Sequence, residues 1–240
     1  MRVLVTRPLP AAERTAAELK KRGHQPVLLP LMRAEHRTDK LRPGPLPGAS
    51  ALAVTSAEAL RALAELAPHE RQPYLDLPLF AVGEATAAQA RALGFGSIET
   101  GAGDGAALAR HLLASPEIDS SQPILYLAGN PRSPDLEQTL KDASRRVEVI
   151  ECYRMVTIER EAEEIAQALT PPPDRVLLYS SETARQFSTL AKAAGFPADP
   201  TKSLRFLCLS HKIAAALPED FMAYAVWPME PREDLLLDLV

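Results

Sequence analysis

The sequence predicts an α/β protein of two related doubly wound parallel-sheet domains joined by a two-stranded antiparallel connector. Three observations carry this. Short apolar runs alternate with helix-periodic stretches along the whole chain, the pattern of βα units around a parallel sheet. The runs are too many for one orderly sheet in 240 residues. Three pairs of segments share a layout: Leu52–Ala59 with Leu177–Ala184, Leu79–Leu93 with Leu204–Leu217, and Val3–Gly23 with Leu125–Arg145. Such internal similarity is what related units leave in a sequence.

Val3-Leu4-Val5 reads as the first strand and leads into Thr6-Arg7-Pro8. A helix follows with Ala12, Ala16 and Leu19 on one face, and Gly23 closes it as a left-handed cap. Val27-Leu28-Leu29 is the next strand. Leu52-Ala53-Val54 meets Thr55-Ser56, and its helix carries Leu60, Leu63, Ala64 and Ala67 at helical spacing. Leu79 to Val82 meets Gly83 and a helix from Thr86 through Leu93. Ile98 marks a short strand before the helix of Leu108 and Leu112. Ile124 to Leu127 meets Ala128-Gly129-Asn130, with Ser133 as N-cap and Pro134 as first helical residue. Val176 to Tyr179 meets Ser180-Ser181 and a helix through Phe187, Leu190 and Ala191. Leu204 to Leu209 meets Ser210 and a helix through Leu217. Ala223 to Trp227 is the last strand and Leu235 to Leu239 the last helix.

Two segments stand apart. Leu29 to Thr38 and Arg146 to Glu159 are extended and β-rich, and the second exceeds the usual ~5–6 residues of a strand. One leads out and the other back, which puts connectors near 31–38 and 146–158. The domains are then 1–34 plus 157–240, discontinuous, and 38–150, inserted. Pro43 to Gly48 reads as a linker, and Pro171-Pro172-Pro173 as a loop between a helix and a strand.

Composition narrows the function. Hydrophobic residues at 46% and charged residues at 24% are those of an ordinary globular chain. No apolar stretch reaches the ~20 residues of a membrane span. A net charge of −4 and 5% aromatics disfavour nucleic acid as a partner. Cys152 and Cys208 give neither a disulfide framework nor zinc spacing. The first residues lack the apolar region of a signal peptide, so the cytoplasm is the expected location. The 22 prolines point to many connections and short elements.

In open α/β sheets ligands bind beyond the carboxyl ends of the strands. Here those ends carry Arg7, Thr55, Ser56, Thr86, Asn130, Ser180, Ser181 and Ser210. Helix N-termini stand behind them, and their free N–H groups suit carboxylate or phosphate. Any single hydroxyl is accounted for as an N-cap; the signal is the set. Arg7, Arg132, Arg154 and Lys212 are the nearby cations, Arg7 first because it sits in the first strand-end turn. Tyr153 on the second connector can donate or accept a hydrogen bond, with plain packing as the alternative. Cys152 beside it is expected to face the opposite way as a packed thiol, because side chains alternate along a strand. His211 opens a helix and reads as well for capping as for catalysis.

Standard cofactor motifs are missing. Gly101-x-Gly103-x-Gly105 does not fit the dinucleotide fingerprint, and there is no Walker A run. The five histidines show no metal spacing. No nucleophile elbow occurs.

Taken together, Val-Leu-Val-Thr-Arg-Pro at the start, Ala-Val-Thr-Ser-Ala-Glu-Ala at 53–59 and Ala-Val-Gly-Glu-Ala-Thr-Ala-Ala at 81–88 resemble the uroporphyrinogen-III synthase family. So do Leu-Tyr-Leu-Ala-Gly-Asn at 125–130, Glu-Cys-Tyr-Arg at 151–154, Tyr-Ser-Ser-Glu-Thr-Ala at 179–184 and Cys-Leu-Ser-His-Lys-Ile-Ala at 208–214. The resemblance implies two α/β domains, an active site in the cleft, a monomer, and no cofactor or metal. It implies hydroxymethylbilane as substrate, closed to a macrocycle with loss of water and inversion of ring D, and transient contact with the preceding deaminase. No nucleic acid and no membrane take part. The family's connector tyrosine matches Tyr153 and its cleft threonine matches Thr86. Many relatives carry Gly-x-x-Thr-Ala where this chain has Ser210-His211-Lys212-Ile213-Ala214, and Ser210 is the substitute there. The competing reading is a non-catalytic two-domain sensor of a small anionic ligand. A nucleotide-dependent enzyme is a third, weakened by the missing glycine fingerprint.

Overall fold

A computed structural model describes residues 1–101, 103–196 and 204–240. Its contacts divide the chain into Met1–Arg33 with Val156–Val240, here unit 1, and Ala34–Met155, unit 2. The chain opens with β1 (Arg2–Val5), α1 (Ala11–Lys21) and β2 (Gln25–Leu28), and passes into unit 2 along β3 (Met32–His36). There follow β4 (Ala51–Val54), α2 (Ala57–Ala64), α3 (Pro68–Leu75), β5 (Leu79–Val82) and α4 (Glu84–Leu93). Next come β6 (Ile98–Gly101), α5 (Gly105–Ala114), β7 (Ile124–Asn130), α6 (Asp135–Asp142) and β8 (Val147–Thr157). Unit 1 resumes with α7 (Ala162–Ala168), β9 (Arg175–Leu178), α8 (Ser181–Ala193) and β10 (Arg205–Cys208). It ends with α9 (His211–Ala214), α10 (Glu219–Met222), β11 (Ala225–Val226) and α11 (Glu233–Leu237).

The sheet of unit 1 has the order β2-β1-β9-β10-β11, all parallel. The sheet of unit 2 runs β8-β7-β4-β5-β6, also parallel, with β3 beside β8 at the edge. The two orders correspond strand for strand: β1 with β7, β9 with β4, β10 with β5. These are the strands of the three paired sequence segments, so each pair occupies the same place in its sheet. In unit 1 the chain switches direction across the sheet between β1 and β9, and in unit 2 between β7 and β4. Crevices at such switch points are where this architecture binds ligands.

Helices cover both faces of the central strands, so β4 is buried along its whole length, as continuous apolar strands require. In unit 1, Phe206 of β10 is fully buried and stacked on Phe221 at 4.8 Å, with Phe187 at 6.0 Å. The 11 residues of β8 serve the sheet first, pairing with β7 from Val147 to Arg154. Arg37 N–H donates to the Cys152 carbonyl at 2.8 Å, and Ile158 N–H to the Leu31 carbonyl at 2.9 Å.

Several elements differ from expectation. Ala67 does not continue α2; it is the N-cap of α3, where Pro68 takes the first position and the Glu70 carboxylate accepts from Ala67 N–H at 2.9 Å. Ser133 lies one residue outside the N-cap of α6, which is Pro134, and its hydroxyl donates to Asp135 at 2.6 Å. Pro218 divides the helical stretch after Ser210 into α9 and α10, and α10 leaves only Ala225–Val226 for the last strand.

His36 on β3 is clasped from both sides. Its Nε2 lies 2.7 Å from Glu58 Oε1 and its Nδ1 2.6 Å from Glu65 Oε1, while Arg61 pairs with Glu58. Both bonds form only when both ring nitrogens carry protons. Burial favours the neutral ring, but the two carboxylates outweigh it and raise the pKa. A raised folded pKa adds stability that is complete below the unfolded value of ~6.5 and is lost as pH rises through the folded value. Denaturant unfolding across that window should show wild-type stability falling with pH and His36→Gln nearly flat; equal slopes would rule the clasp out.

Candidate active site

Unit 2 gathers hydroxyls around its switch point. Ser56 caps α2, its Oγ accepting from Glu58 N–H at 3.2 Å. Thr55 shares a 2.8 Å hydrogen bond with the hydroxyl of Tyr126, reaching across from β7. Burial raises the pKa of Tyr126. Tyr153 lies over Gly129: a Cβ at Gly129 would stand 2.5 Å from the phenol oxygen and from Cε2. Glycine is therefore the floor on which the phenol rests.

A bulge brings Tyr153 there. The β7–β8 register runs Ala128 with Glu151 and then Gly129 with Tyr153, skipping Cys152. One extra residue breaks the alternation of side chains. Cys152 and Tyr153 consequently pack against the same cluster, with Cys152 fully buried within it. This corrects the expectation of opposite faces, although the packed thiol remains. Burial pushes the Cys152 thiol up to about 12, and its Sγ donates to the Ala128 carbonyl at 3.5 Å. Burial likewise raises the Tyr153 phenol above its ordinary range, with the nearby Ser56 hydroxyl partly opposing. The phenol is protonated at neutral pH and available as a donor.

Thr86 sits in the first turn of α4, 6% exposed, and its hydroxyl has no hydrogen-bond partner among the described residues. Gly83 before it has φ 74° and ψ 158°, a conformation essentially open to glycine alone. Asn130 ends β7 in an exposed position, its amide donating to Glu151 at 3.4 Å. Arg132 is bound at 2.6 Å by both Glu137 and Glu151, and Arg154 lies 2.9 Å from Glu35. These two cations already have carboxylate partners.

In unit 1, Arg7 lies 2.6 Å from Glu233 and over the ring of Tyr179. Ser180 caps α8, accepting from Thr183 N–H at 3.1 Å. Ser181 donates to the Lys212 carbonyl at 3.3 Å. Ser210 is the N-cap of α9 without a side-chain cap bond, and Lys212 has no ion pair among the described residues. His211 packs edge-on to Trp227 at 5.1 Å. Within unit 2 the fold thus brings Tyr153, Ser56 and Thr55 together, and sets Asn130 beside Glu151. Within unit 1 it sets Arg7 at the switch point. Sequence reading did not find Tyr126, Gly129 as a floor, or Glu233. Gly129 stood inside a quoted motif, but Glu233 is 226 residues from Arg7 and no local pattern ties them.

A family model described as uroporphyrinogen-III synthase HemD matches residues 13–238. Among solved structures, uroporphyrinogen-III synthetase from Helicobacter pylori is similar with a TM-score of 0.63 and 16% identity, over 100% of this chain and 98% of that one. A mutant uroporphyrinogen III synthase from the extremely thermophilic bacterium Thermus thermophilus is similar with a TM-score of 0.52 and 19% identity, over 99% of this chain and 96% of that one. At these identities the structures speak for the fold. No curated protein sequence matches. The family match spans nearly the whole chain, including Tyr153, Gly129 and the strand-end turns of both units from Thr55 onward, and the chain therefore belongs to the uroporphyrinogen-III synthase family.

Proposed function

We propose that this chain is a cyclising hydro-lyase that converts hydroxymethylbilane to uroporphyrinogen III, with Tyr153 as the residue nearest the chemistry. The observation that carries the role of Tyr153 is its placement: a neutral phenol seated on Gly129 at the switch point of unit 2, beside Ser56. The family match favours this enzyme over the sensor alternative. The reaction begins with departure of the substrate hydroxyl as water, leaving an azafulvene cation. Carbon–carbon bond formation at the substituted position of ring D gives a spiro intermediate, which fragments and recloses with ring D inverted, losing a proton. Tyr153 donates a hydrogen bond to the departing hydroxyl. A phenol is a modest acid at neutral pH, so orientation does most of the work.

Hydroxymethylbilane closes unaided to the uninverted isomer, so the protein must steer. Thr55, Ser56, Thr86 and Asn130 in unit 2, and Arg7, Ser180, Ser181 and Ser210 in unit 1, are the proposed substrate contacts, through hydroxyls and helix N-termini. Unaided closure also favours a short path from the preceding deaminase, by transient contact with a cytoplasmic monomer. The domains are read as 1–34 plus 157–240 and 38–150, with an antiparallel connector near 31–38 and 146–158. The hydrogen bonds from Arg37 to Cys152 and from Ile158 to Leu31 support that connector.

The test generates hydroxymethylbilane in situ with its deaminase, adds this protein, oxidises, and separates the porphyrin isomers. Predominantly isomer III is expected from the wild type; isomer I alone from folded protein would refute the assignment. Tyr153→Phe should lose activity about a hundredfold, a partial loss at the lower end of the contribution of one proton-transfer group. An unchanged rate would remove Tyr153 from the mechanism.

A further inference from the structure

At the switch point of unit 1, Arg7 follows β1 and Tyr179 follows the neighbouring β9. The guanidinium carbon lies 4.1 Å from the centroid of the Tyr179 ring. Among the described residues only Nη1 of Arg7 is engaged, 2.6 Å from Glu233 Oε1 and 3.2 Å from Thr15 Oγ1. The Thr15 and Tyr179 hydroxyls donate to the same Glu233 oxygen at 2.6 and 3.1 Å. Burial alone would raise the Glu233 pKa, but Thr15, Arg7 and Tyr179 outweigh it and lower it, so the anchor stays ionised. The Arg7 side chain remains 21% exposed. Its Nε and Nη2 have no hydrogen-bond partner among the described residues.

That unused edge has a defined chemistry. Nε and Nη2 form the planar fork that receives a carboxylate through two parallel hydrogen bonds. A free arginine must give up rotamer freedom to bind; this one is already held by an aromatic face and an anchored nitrogen, which lowers that cost.

We infer that Arg7, held over the ring of Tyr179 and anchored by Glu233, is a preformed receptor for one carboxylate of the substrate, with Glu233, Tyr179 and Thr15 as its positioning residues. This rests on the synthase reading above and adds to it how the first-strand arginine is held, which edge it offers, and which residues fix that edge. Glu233 acts by geometry. Its charge by itself opposes an incoming anion, so a comparison of two substitutions that both remove the charge isolates its anchoring role.

The experiment titrates uroporphyrin III, a stable octacarboxylate, into folded wild type, Arg7→Lys, Glu233→Gln and Glu233→Ala by calorimetry, alongside the isomer assay. Lysine keeps the charge and loses the fork, so Arg7→Lys should bind about tenfold more weakly. In turnover the same variant should show a raised KM with kcat nearly kept. Glutamine keeps an acceptor for the three donors and alanine does not, so Glu233→Ala should bind at least about threefold more weakly than Glu233→Gln. Wild type that makes isomer III and binds the porphyrin no better than Arg7→Lys would overturn the receptor and leave the synthase reading standing. Equal affinities for the two Glu233 variants would overturn the anchoring role. Wild type that neither binds the porphyrin nor makes isomer III would overturn both readings together.

Discussion

Gly129→Ala is expected to cut isomer III formation by roughly two orders of magnitude, the scale of a misplacement of about 1 Å at a reacting centre. The added methyl group would stand 2.5 Å from the Tyr153 oxygen and Cε2, well inside contact distance. Tyr153 packs against the buried cluster that holds Cys152, which leaves its ring little room inward. The phenol must swing off its floor and lose its place beside Ser56. Stability should change little, since alanine in a strand is favoured over glycine by roughly 0.5–1 kcal/mol and this offsets part of the crowding. Isomer-resolved rates together with a melting curve check the prediction; wild-type isomer III output from the variant would show that the phenol's position is unimportant.

Phe206→Ala is expected to destabilise unit 1 by about 3–5 kcal/mol, the usual cost of removing a buried phenylalanine. Phe206 is fully buried and meets Phe221 and Phe187 on the face of the sheet covered by α8 and α10. Phe221 packs on Phe187 and Phe196 as well, so a void there removes contacts from several rings at once. Against a typical total of about 5–15 kcal/mol this is a large fraction. Urea unfolding measures it, and a loss under about 1 kcal/mol would mean the aromatic cluster collapses around the gap.

The strands and the paired segments were legible because their signals are local. An apolar run ending in a hydroxyl turn is a strand that hands over to a capped helix. Ser56 and Ser180, found in matching segments, both cap their helices through the side chain. Where neighbouring positions send opposing signals, reading failed. Pro68 and Pro73 look like breakers, yet Pro68 starts α3 and Pro73 lies inside it. Tyr74 holds that helix down, fully buried, with its hydroxyl donating to the Leu41 carbonyl at 2.7 Å, a bond between distant positions that leaves no local trace.

The candidate site divides the same way. Residue types at strand ends were readable, but their partners were not. The bulge at Cys152 is a property of two strands in register, and neither strand announces it alone. The pairing of Arg132 and Arg154 with carboxylates changes what a count of nearby cations suggests, because those charges are already offset. On the proposed reading, substrate recognition then falls more heavily on hydroxyls, helix N-termini and the Nε–Nη2 edge of Arg7.

The central claim is that Gly129 matters through Tyr153, and a double-mutant cycle on isomer III formation tests it most directly. The four proteins are wild type, Gly129→Ala, Tyr153→Ala and the double variant. With the ring gone, the methyl group at 129 has nothing to strike, so the double variant should match Tyr153→Ala and the two losses should fail to add. If the double variant is instead slower by the product of the single losses, Gly129 acts independently of the phenol and the arrangement described for unit 2 is wrong.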